Sequence, residues 1–185
     1  MSDELPAMCP ACGACDSRTA FVDETTRGRL YGLASALGCQ CQLAAIRRVA
    51  RGRLRAGQRR LHFSNESERD RKAFLSAVVR TPVLGAFVTT TPGPSARSDC
   101  WAQLVPWLVT IGVVKLRIES IDGTEARDRR DIRMALDSKN LVGRLCYRHE
   151  RPENEPMLWI ADAIAWSVGK GGHWRERLGG VLLGP

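Results

Sequence analysis

Short segments with β-strand character alternate with segments of helical spacing along most of this chain. Strands are predicted near residues 19–24, 29–37, 60–63, 83–90, 113–121 and 141–149. Helices are predicted near 41–55, 66–80, 99–111, 124–137 and 157–170. Strands that are interleaved with helices in this way form a mixed sheet with helices on both faces. The sequence therefore predicts an α/β domain.

The length of 185 residues fits one such domain. We expect a cysteine-containing N-terminal tail at 1–18 and the domain itself at 19–185. No apolar run approaches the roughly 18–20 residues that span a bilayer, so no membrane partner is expected. The first five residues are acidic and lack the apolar core of a secretory signal. These features predict a cytoplasmic protein.

Positive charge is concentrated in one part of the sequence. The formal net charge is +8, and residues 47–60 contain seven arginines and no acid. Such a field suits a polyanion. We predict a nucleic-acid-binding surface formed by Arg47, Arg48, Arg51, Arg59 and Arg60. The alternative explanation is a solvated helix face followed by a loop.

Acidic side chains stand at points where burial would be costly. Asp23 and Glu24 follow the apolar residues of the first predicted strand, and Asp162 lies within the apolar helix at 157–170. Glu119 and Asp122 end the strand at 113–121. A buried acid costs several kcal/mol unless it is paired, hydrated or bound to a cation. Acids from three distant segments therefore predict one shared site.

Convergent carboxylates on a basic chain indicate phosphodiester chemistry. Two divalent ions held roughly 3.5–4 Å apart activate a water molecule and stabilise the leaving oxygen. Oxygen ligands suit Mg²⁺ or Mn²⁺. The predicted metal ligands are Asp23, Glu24, Glu119, Asp122 and Asp162. All of these except Glu24 are also predicted catalytic residues, together with His62, which could shuttle a proton near the site.

Several segments carry a family resemblance. Phe-Val-Asp-Glu-Thr at 21–25, Glu-Ser-Ile-Asp at 119–122 and Glu-Pro-Met-Leu-Trp-Ile-Ala-Asp-Ala-Ile-Ala-Trp at 155–166 resemble RNase H-like domains. More narrowly, the chain resembles a widespread group of actinobacterial proteins with this layout, over about residues 19–178. The resemblance implies an RNase H-like mixed sheet flanked by helices. It also implies a metal-dependent nuclease that acts on RNA or DNA.

The same resemblance implies roles for individual acids. Asp23 matches the first-strand aspartate that bridges the metals, and Asp162 matches the aspartate of the last helix. Glu119 or Asp122 matches the acid near the end of the fourth strand. The glutamate of the first helix has no counterpart in the arginine-rich segment, where Glu66 is the nearest substitute. That departure favours the alternative function, an inactive module that binds nucleic acid or protein.

Local ion pairs are the competing explanation for several acids. A buried pair with Arg148 is the main alternative for Asp162. Asp128 and Asp131 lie three residues apart on a predicted helix that is rich in arginine. Pairs at i,i+3 and i,i+4 with arginines of the same helix explain these two acids.

The cysteines suggest a second and separate metal site. Cys9-Pro-Ala-Cys12-Gly has the spacing of a zinc knuckle, and Cys15 supplies a third thiol. Cys39 and Cys41 could complete the site, although the spacing of this pair is one residue instead of two. Zinc bound by Cys9, Cys12 and Cys15 is therefore one prediction, and a reduced tail without metal is the other.

Overall fold

The fold is built on a mixed sheet. The computed structural model describes residues 17–27 and 29–184. Residues 1–16 of the tail predicted at 1–18, with Cys9, Cys12 and Cys15, therefore lie outside the described residues. Within them the sheet has six strands in the order β5-β4-β1-β2-β3-β6. These are β1 (Arg18–Arg27), β2 (Leu30–Cys39), β3 (Leu84–Thr90), β4 (Val113–Glu119), β5 (Cys146–Glu150) and β6 (Leu182–Leu183).

Strand direction follows the connections between strands. The hairpin β1–β2 and the pair β2–β3 are antiparallel. β1 is parallel to β4, and β4 is parallel to β5. The short strand β6 lies at the edge of the sheet and pairs in parallel with β3. β1 therefore lies in the middle of the sheet, with residues of both neighbouring strands beside it.

Helices cover both faces of the sheet. They are α1 (Leu43–Arg51), α2 (Glu68–Val78), α3 (Ala96–Thr110), α4 (Glu125–Asp137), α5 (Pro156–Lys170) and α6 (His173–Glu176). Short 3₁₀ turns occupy Phe63–Asn65 and Gly179–Val181. None of the helices in the described ranges is both long enough and apolar enough to cross a membrane.

Two apolar cores result from the alternation of side chains along the strands. Phe21 of β1 points to the face covered by α1, α2 and α5. Ala20 and Val22 point to the face covered by α3 and α4. α5 lies over the centre of the sheet and is buried along most of its length. An acid on α5 is therefore held close to the strands.

Local predictions differ from the structure at three points. The strand predicted at 141–149 is a turn at 142–144 followed by β5, which begins at Cys146. The strand predicted at 60–63 is an extended loop that enters the Phe63–Asn65 turn. Leu61 and Phe63 are buried, but the Phe63 amide donates to the Asp162 carboxylate at 2.8 Å instead of to a neighbouring strand. β1 also continues to Arg27, so Asp23 lies within the strand and not at its end.

Candidate active site

Asp23 and Glu119 come together because β1 and β4 are parallel. The last paired residues of the two strands are Val22 and Ile118, and the two acids are the next residue on each. In a parallel register such positions point to the same face at the same height. That face is the one covered by α5, which carries Asp162. A cavity of about 200 Å³ is lined by all three acids.

Asp23 is the most perturbed acid of this group. Burial raises its pKa well above the ordinary value, and the charges of Glu119 and Asp162 raise it further. A hydrogen bond to the Glu119 side chain favours the protonated form, while the Glu24 amide, which donates to Asp23 Oδ1 at 2.7 Å, opposes these effects. The acids therefore repel one another when they are all ionised.

Asp162 is held by the loop that precedes the Phe63–Asn65 turn. Its Oδ2 accepts the Phe63 amide at 2.8 Å and lies 3.5 Å from Nδ1 of His62. Burial raises the pKa of Asp162, and the Phe63 amide and His62 only partly offset this. Arg148, the alternative partner predicted from the sequence, instead binds Glu150 at 3.0 Å.

Two basic side chains border the same cavity. His62 is about half exposed, with a side-chain exposure of 46%, and its Nδ1 lies 3.0 Å from the Ser64 hydroxyl. Arg60 lies 3.8 Å from Glu119 and 3.5 Å from Glu153. Neither basic group is buried in a tight ion pair, so both can approach an anion that enters the cavity.

The two remaining predicted ligands have different surroundings. Glu24 reaches the rim of the cavity, but its carboxylate binds the Tyr31 hydroxyl at 2.7 Å and the guanidinium of Arg97. Asp122 is exposed in the turn after β4 and is not among the residues that line the cavity. The structure thus brings together Asp23, Glu119 and Asp162, with Glu24 beside them.

Comparison with solved structures supports the architecture. A chain of the PCNA:RNase HII complex from Archaeoglobus fulgidus superposes with a TM-score of 0.53 and 14% identity. The match covers 82% of this chain and 71% of that chain. This chain has an RNase H-like fold. No protein-family model and no curated protein matches the sequence, so the narrower actinobacterial resemblance stays a prediction.

The RNase H-like fold carries a second polar cluster on the opposite face of the sheet. Asp128 of α4 is fully buried and accepts hydrogen bonds from Arg97 at 2.5 and 2.8 Å. Trp101 Nε1 donates to the same carboxylate at 3.0 Å, and His149 Nε2 also lies at 3.0 Å. The prediction that arginines of its own helix pair with Asp128 is therefore wrong.

These contacts lower the pKa of Asp128. Burial alone would raise it, but the hydrogen bonds from Arg97 and His149, with the charge of Arg97, hold it well below its usual range. In the sequence, the spacing of Asp128 from apolar residues of α4 was the signal for its burial. Asp128 lies four residues before Ile132 and seven before Ala135, both buried, which places it on the apolar face of α4.

The predicted arginine surface divides into two groups. Arg47 binds Glu155 through two contacts, at 2.8 and 2.6 Å, and Arg60 lies beside Glu119 and Glu153. Arg48, Arg51 and Arg59 are exposed on and after α1. Because α1 packs against α5 in the core that borders the acids, this segment lies on the acid-bearing side of the sheet.

The acids around the cavity have the donor chemistry, but not the arrangement, of a divalent-ion site. Among residues 17–27 and 29–184, no group of three His, Cys, Asp or Glu side chains is arranged to hold a metal ion. Asp23 and Glu119 instead share a hydrogen bond. The chemistry of the donors nevertheless fits, because carboxylate oxygens suit Mg²⁺ or Mn²⁺. A cation would also relieve the repulsion that raises the pKa of Asp23.

Proposed function

We propose that this protein is a divalent-metal-dependent phosphodiesterase that cleaves RNA or DNA. The observation that carries the proposal is the convergence of Asp23, Glu119 and Asp162 in one cavity. Burial and the charge of Glu119 raise the pKa values of Asp23 and Asp162, so the arrangement is unfavourable for stability alone. Groups with strongly perturbed pKa values in a cleft are typical of functional sites.

Each residue of the cavity has a proposed task. Asp23, Glu119 and Asp162 would hold Mg²⁺ or Mn²⁺, which when bound would activate water and stabilise the leaving oxygen. His62 stands at the exposed rim, where it can hold or deliver a proton to the departing group. Arg60 is placed to contact the phosphate. Glu24 forms an ion pair with Arg97 and would help to position its neighbour Asp23.

The arginine segment would seat the substrate. Arg48, Arg51 and Arg59 are exposed on the acid-bearing side, and together they present three positive charges to a phosphate backbone. Arg47 adds its charge but is committed to Glu155. Contacts with phosphates depend on charge and do not distinguish base sequence. The proposed substrate is therefore a nucleic acid of either kind.

A second candidate function is a binding module without catalysis. It is favoured by the surroundings of Glu66, the nearest substitute for the helix glutamate of the family. Glu66 is buried and binds Arg55 at 3.0 Å and Gln58 at 2.7 Å, so it is engaged away from the cavity. A site with fewer carboxylates could retain affinity for nucleic acid without cleaving it.

Cleavage assays separate the two functions. The full chain would be incubated with labelled single-stranded RNA, duplex DNA and an RNA–DNA hybrid, in Mg²⁺, Mn²⁺ or EDTA. The phosphodiesterase proposal expects metal-dependent products, with a roughly 10²–10³-fold loss in Asp23→Asn and Asp162→Asn. Asp137→Asn, an exposed acid at the end of α4, is the matched control and should keep full activity. Salt-sensitive binding without products under any metal would instead establish the binding module.

A further inference from the structure

Three basic side chains lie side by side on one face of strands β4 and β5. Phe21 of β1 is paired with Arg117 of β4, and Arg117 is paired with Arg148 of β5. Residues that are paired in a parallel register point to the same face of the sheet, which here is the face that carries α5. Lys115 precedes Arg117 by two residues and shares that face. Lys115, Arg117 and Arg148 together form what we term the basic shelf.

The basic shelf is open to solvent. α5 packs on β1, β2 and β3, and within residues 29–184 the main helix that packs on β4 is α3, which lies on the other face of the sheet. Lys115 and Arg148 are exposed, and 62% of the Arg148 side chain is accessible. In the described part of the chain, Lys115 has no hydrogen-bond or ion-pair partner for its ammonium group. The shelf therefore presents at least these two cations to an approaching anion.

The basic shelf carries more positive charge than the neighbouring acid neutralises. Arg117 and Arg148 are directly opposite each other across β4 and β5, and like charges at such positions destabilise a sheet. Both arginines approach the same carboxylate oxygen of Glu150, Arg117 Nε at 3.6 Å and Arg148 Nη2 at 3.0 Å. Three cations against this one carboxylate leave an excess of two positive charges. A bound polyanion would therefore relieve the repulsion between the two arginines.

The basic shelf leads to the cavity that contains the proposed metal ligands. Glu119 follows Arg117 by two residues on β4, points to the same face and lines the cavity. Lys115 and Glu119 are four residues apart on this strand, which is about 13 Å at a strand rise of roughly 3.3 Å per residue. A stacked nucleic-acid strand rises about 3.4 Å per nucleotide, so about four nucleotides cover this length. A strand with one phosphate at the acids can therefore continue over the shelf.

We infer that the basic shelf binds the phosphate backbone of the substrate strand on one side of the bond that is cleaved. The inference rests on the proposed function for the reaction in the cavity and adds a path for the strand that leads to it. The occupant is a nucleic acid because its repeated phosphate charges match cations that are spaced along β4 and β5. Contacts of Lys115 and Arg148 with phosphates position the strand without distinguishing its bases.

The basic shelf is separate from the arginine segment at 47–60. That segment belongs to α1 and the loop after it, whereas the shelf belongs to the sheet itself. Backbone pairing of β4 with β5 fixes the spacing of the shelf residues, and sites on regular elements are held more precisely than sites on loops. No residue is common to the two surfaces, so their contributions to binding can be measured independently.

The test measures how tightly the full chain binds a labelled single-stranded DNA. Fluorescence anisotropy would be recorded in EDTA, so that metal-dependent cleavage does not disturb the equilibrium. We expect the double variant Lys115→Gln, Arg148→Gln to weaken binding roughly 10–30-fold at about 0.1 M salt. The slope of log affinity against log salt should fall by about 1.4, since each phosphate contact of a single strand contributes roughly 0.7.

A matched control removes the same charges from the other side of the molecule. Arg133→Gln, Lys139→Gln replaces one arginine of α4 and one lysine in the turn after it, both exposed, and should bind like the wild-type chain. Circular dichroism verifies that each variant is folded. If the double variant were unfolded, Lys115→Glu would replace it, because this exposed side chain has no partner to lose in the described part of the chain, and it should weaken binding at least roughly fivefold.

The outcomes separate this inference from the proposed function. Unchanged affinity in the double variant, an equal loss in the control, or no binding by the wild-type chain would each overturn the basic shelf, and the last result would favour an acidic protein partner. Products from the wild-type chain in Mn²⁺, together with unchanged binding in the double variant, would keep the phosphodiesterase and remove the shelf. Weakened binding in the double variant, with no products in any metal, would keep the shelf and overturn the phosphodiesterase.

Discussion

Arg97 and Asp128 form a two-contact ion pair that joins α3 to α4, with Nε and Nη2 donating to the two carboxylate oxygens at 2.5 and 2.8 Å. Nη1 of the same arginine reaches Glu24 and the Tyr31 hydroxyl. One guanidinium therefore connects α3 and α4 to Glu24, the residue next to Asp23. This pair links the stability of the fold to the geometry of the proposed active site.

Removing one member of this pair should be strongly destabilising. We expect Arg97→Met to lower the free energy of unfolding by about 3–5 kcal/mol, because Asp128 would be left buried and uncompensated. Urea denaturation followed by circular dichroism measures the change. Arg133→Met, an exposed arginine on α4, is the control and should stay within about 0.5 kcal/mol. The double variant Arg97→Met, Asp128→Leu should recover much of the loss, and an additive result would contradict the assignment.

The raised pKa of Asp23 predicts how stability depends on pH. A carboxyl whose pKa is higher in the folded state favours folding at acid pH, and this contribution is lost as pH rises from about 3.9 through the folded pKa. Asp23→Asn keeps the shape of the side chain and can donate to Glu119. It should raise the free energy of unfolding near neutral pH by about 0.5–2 kcal/mol.

The measurement is a series of urea denaturations between pH 4 and pH 8. The Asp23→Asn curve should decline less steeply with pH than the wild-type curve. Some decline should remain, because the pKa of Asp162 is raised as well. Equal slopes for the two proteins would show that Asp23 ionises normally and that the acids do not repel one another.

Metal ions should stabilise the chain through the cavity acids. We expect millimolar Mn²⁺ to raise the melting temperature of the wild-type protein by about 4 °C, which corresponds to roughly 1–2 kcal/mol at this size. Glu119→Gln should abolish the shift. Asp122→Asn tests the exposed acid in the turn after β4: a retained shift would confine the site to the cavity. An unchanged shift in Glu119→Gln would argue against the proposed ligand set.

The exposed arginines should control affinity for nucleic acid. The triple variant of Arg48, Arg51 and Arg59 to alanine should weaken binding and reduce the slope of log affinity against log salt by about 2, since each phosphate contact contributes roughly 0.7–0.9. Fluorescence anisotropy at several salt concentrations measures both quantities. The control is a triple alanine variant of Arg129, Arg130 and Arg133, which removes the same charge from α4 on the other face of the sheet. Equal losses in the two variants would indicate unspecific attraction.

The order of elements and the proximity of several acids could be predicted from short-range patterns. Apolar periodicity located most strands and helices, and acids at the ends of apolar runs predicted a shared site of Asp23, Glu24, Glu119, Asp122 and Asp162. The structure places all of these except Asp122 around one cavity, with Glu24 engaged by Tyr31 and Arg97. The strand predicted at 60–63 failed because Phe63 donates its amide to Asp162, 99 residues away, and no local pattern encodes a partner at that distance.

The Arg97–Asp128 cluster was missed for a related reason. Asp128 is surrounded in sequence by arginines, so pairs along its own helix were the simplest explanation. Its true partners belong to α3 and β5, and their proximity depends on how two elements pack on the sheet. The position of Asp128 on the apolar face of α4 indicated burial but could not identify Arg97.

The hydrogen bond from the Phe63 amide to Oδ2 of Asp162 limits how that carboxylate can serve the cavity. The amide uses one of the two lone pairs of Oδ2, so the orientation of the Asp162 carboxylate is fixed as long as the loop stays in place. A ligand that turned the carboxylate away from Oδ2's present position would release Phe63 and shift His62. Occupancy of the cavity and the position of its histidine are thereby coupled through a single oxygen atom.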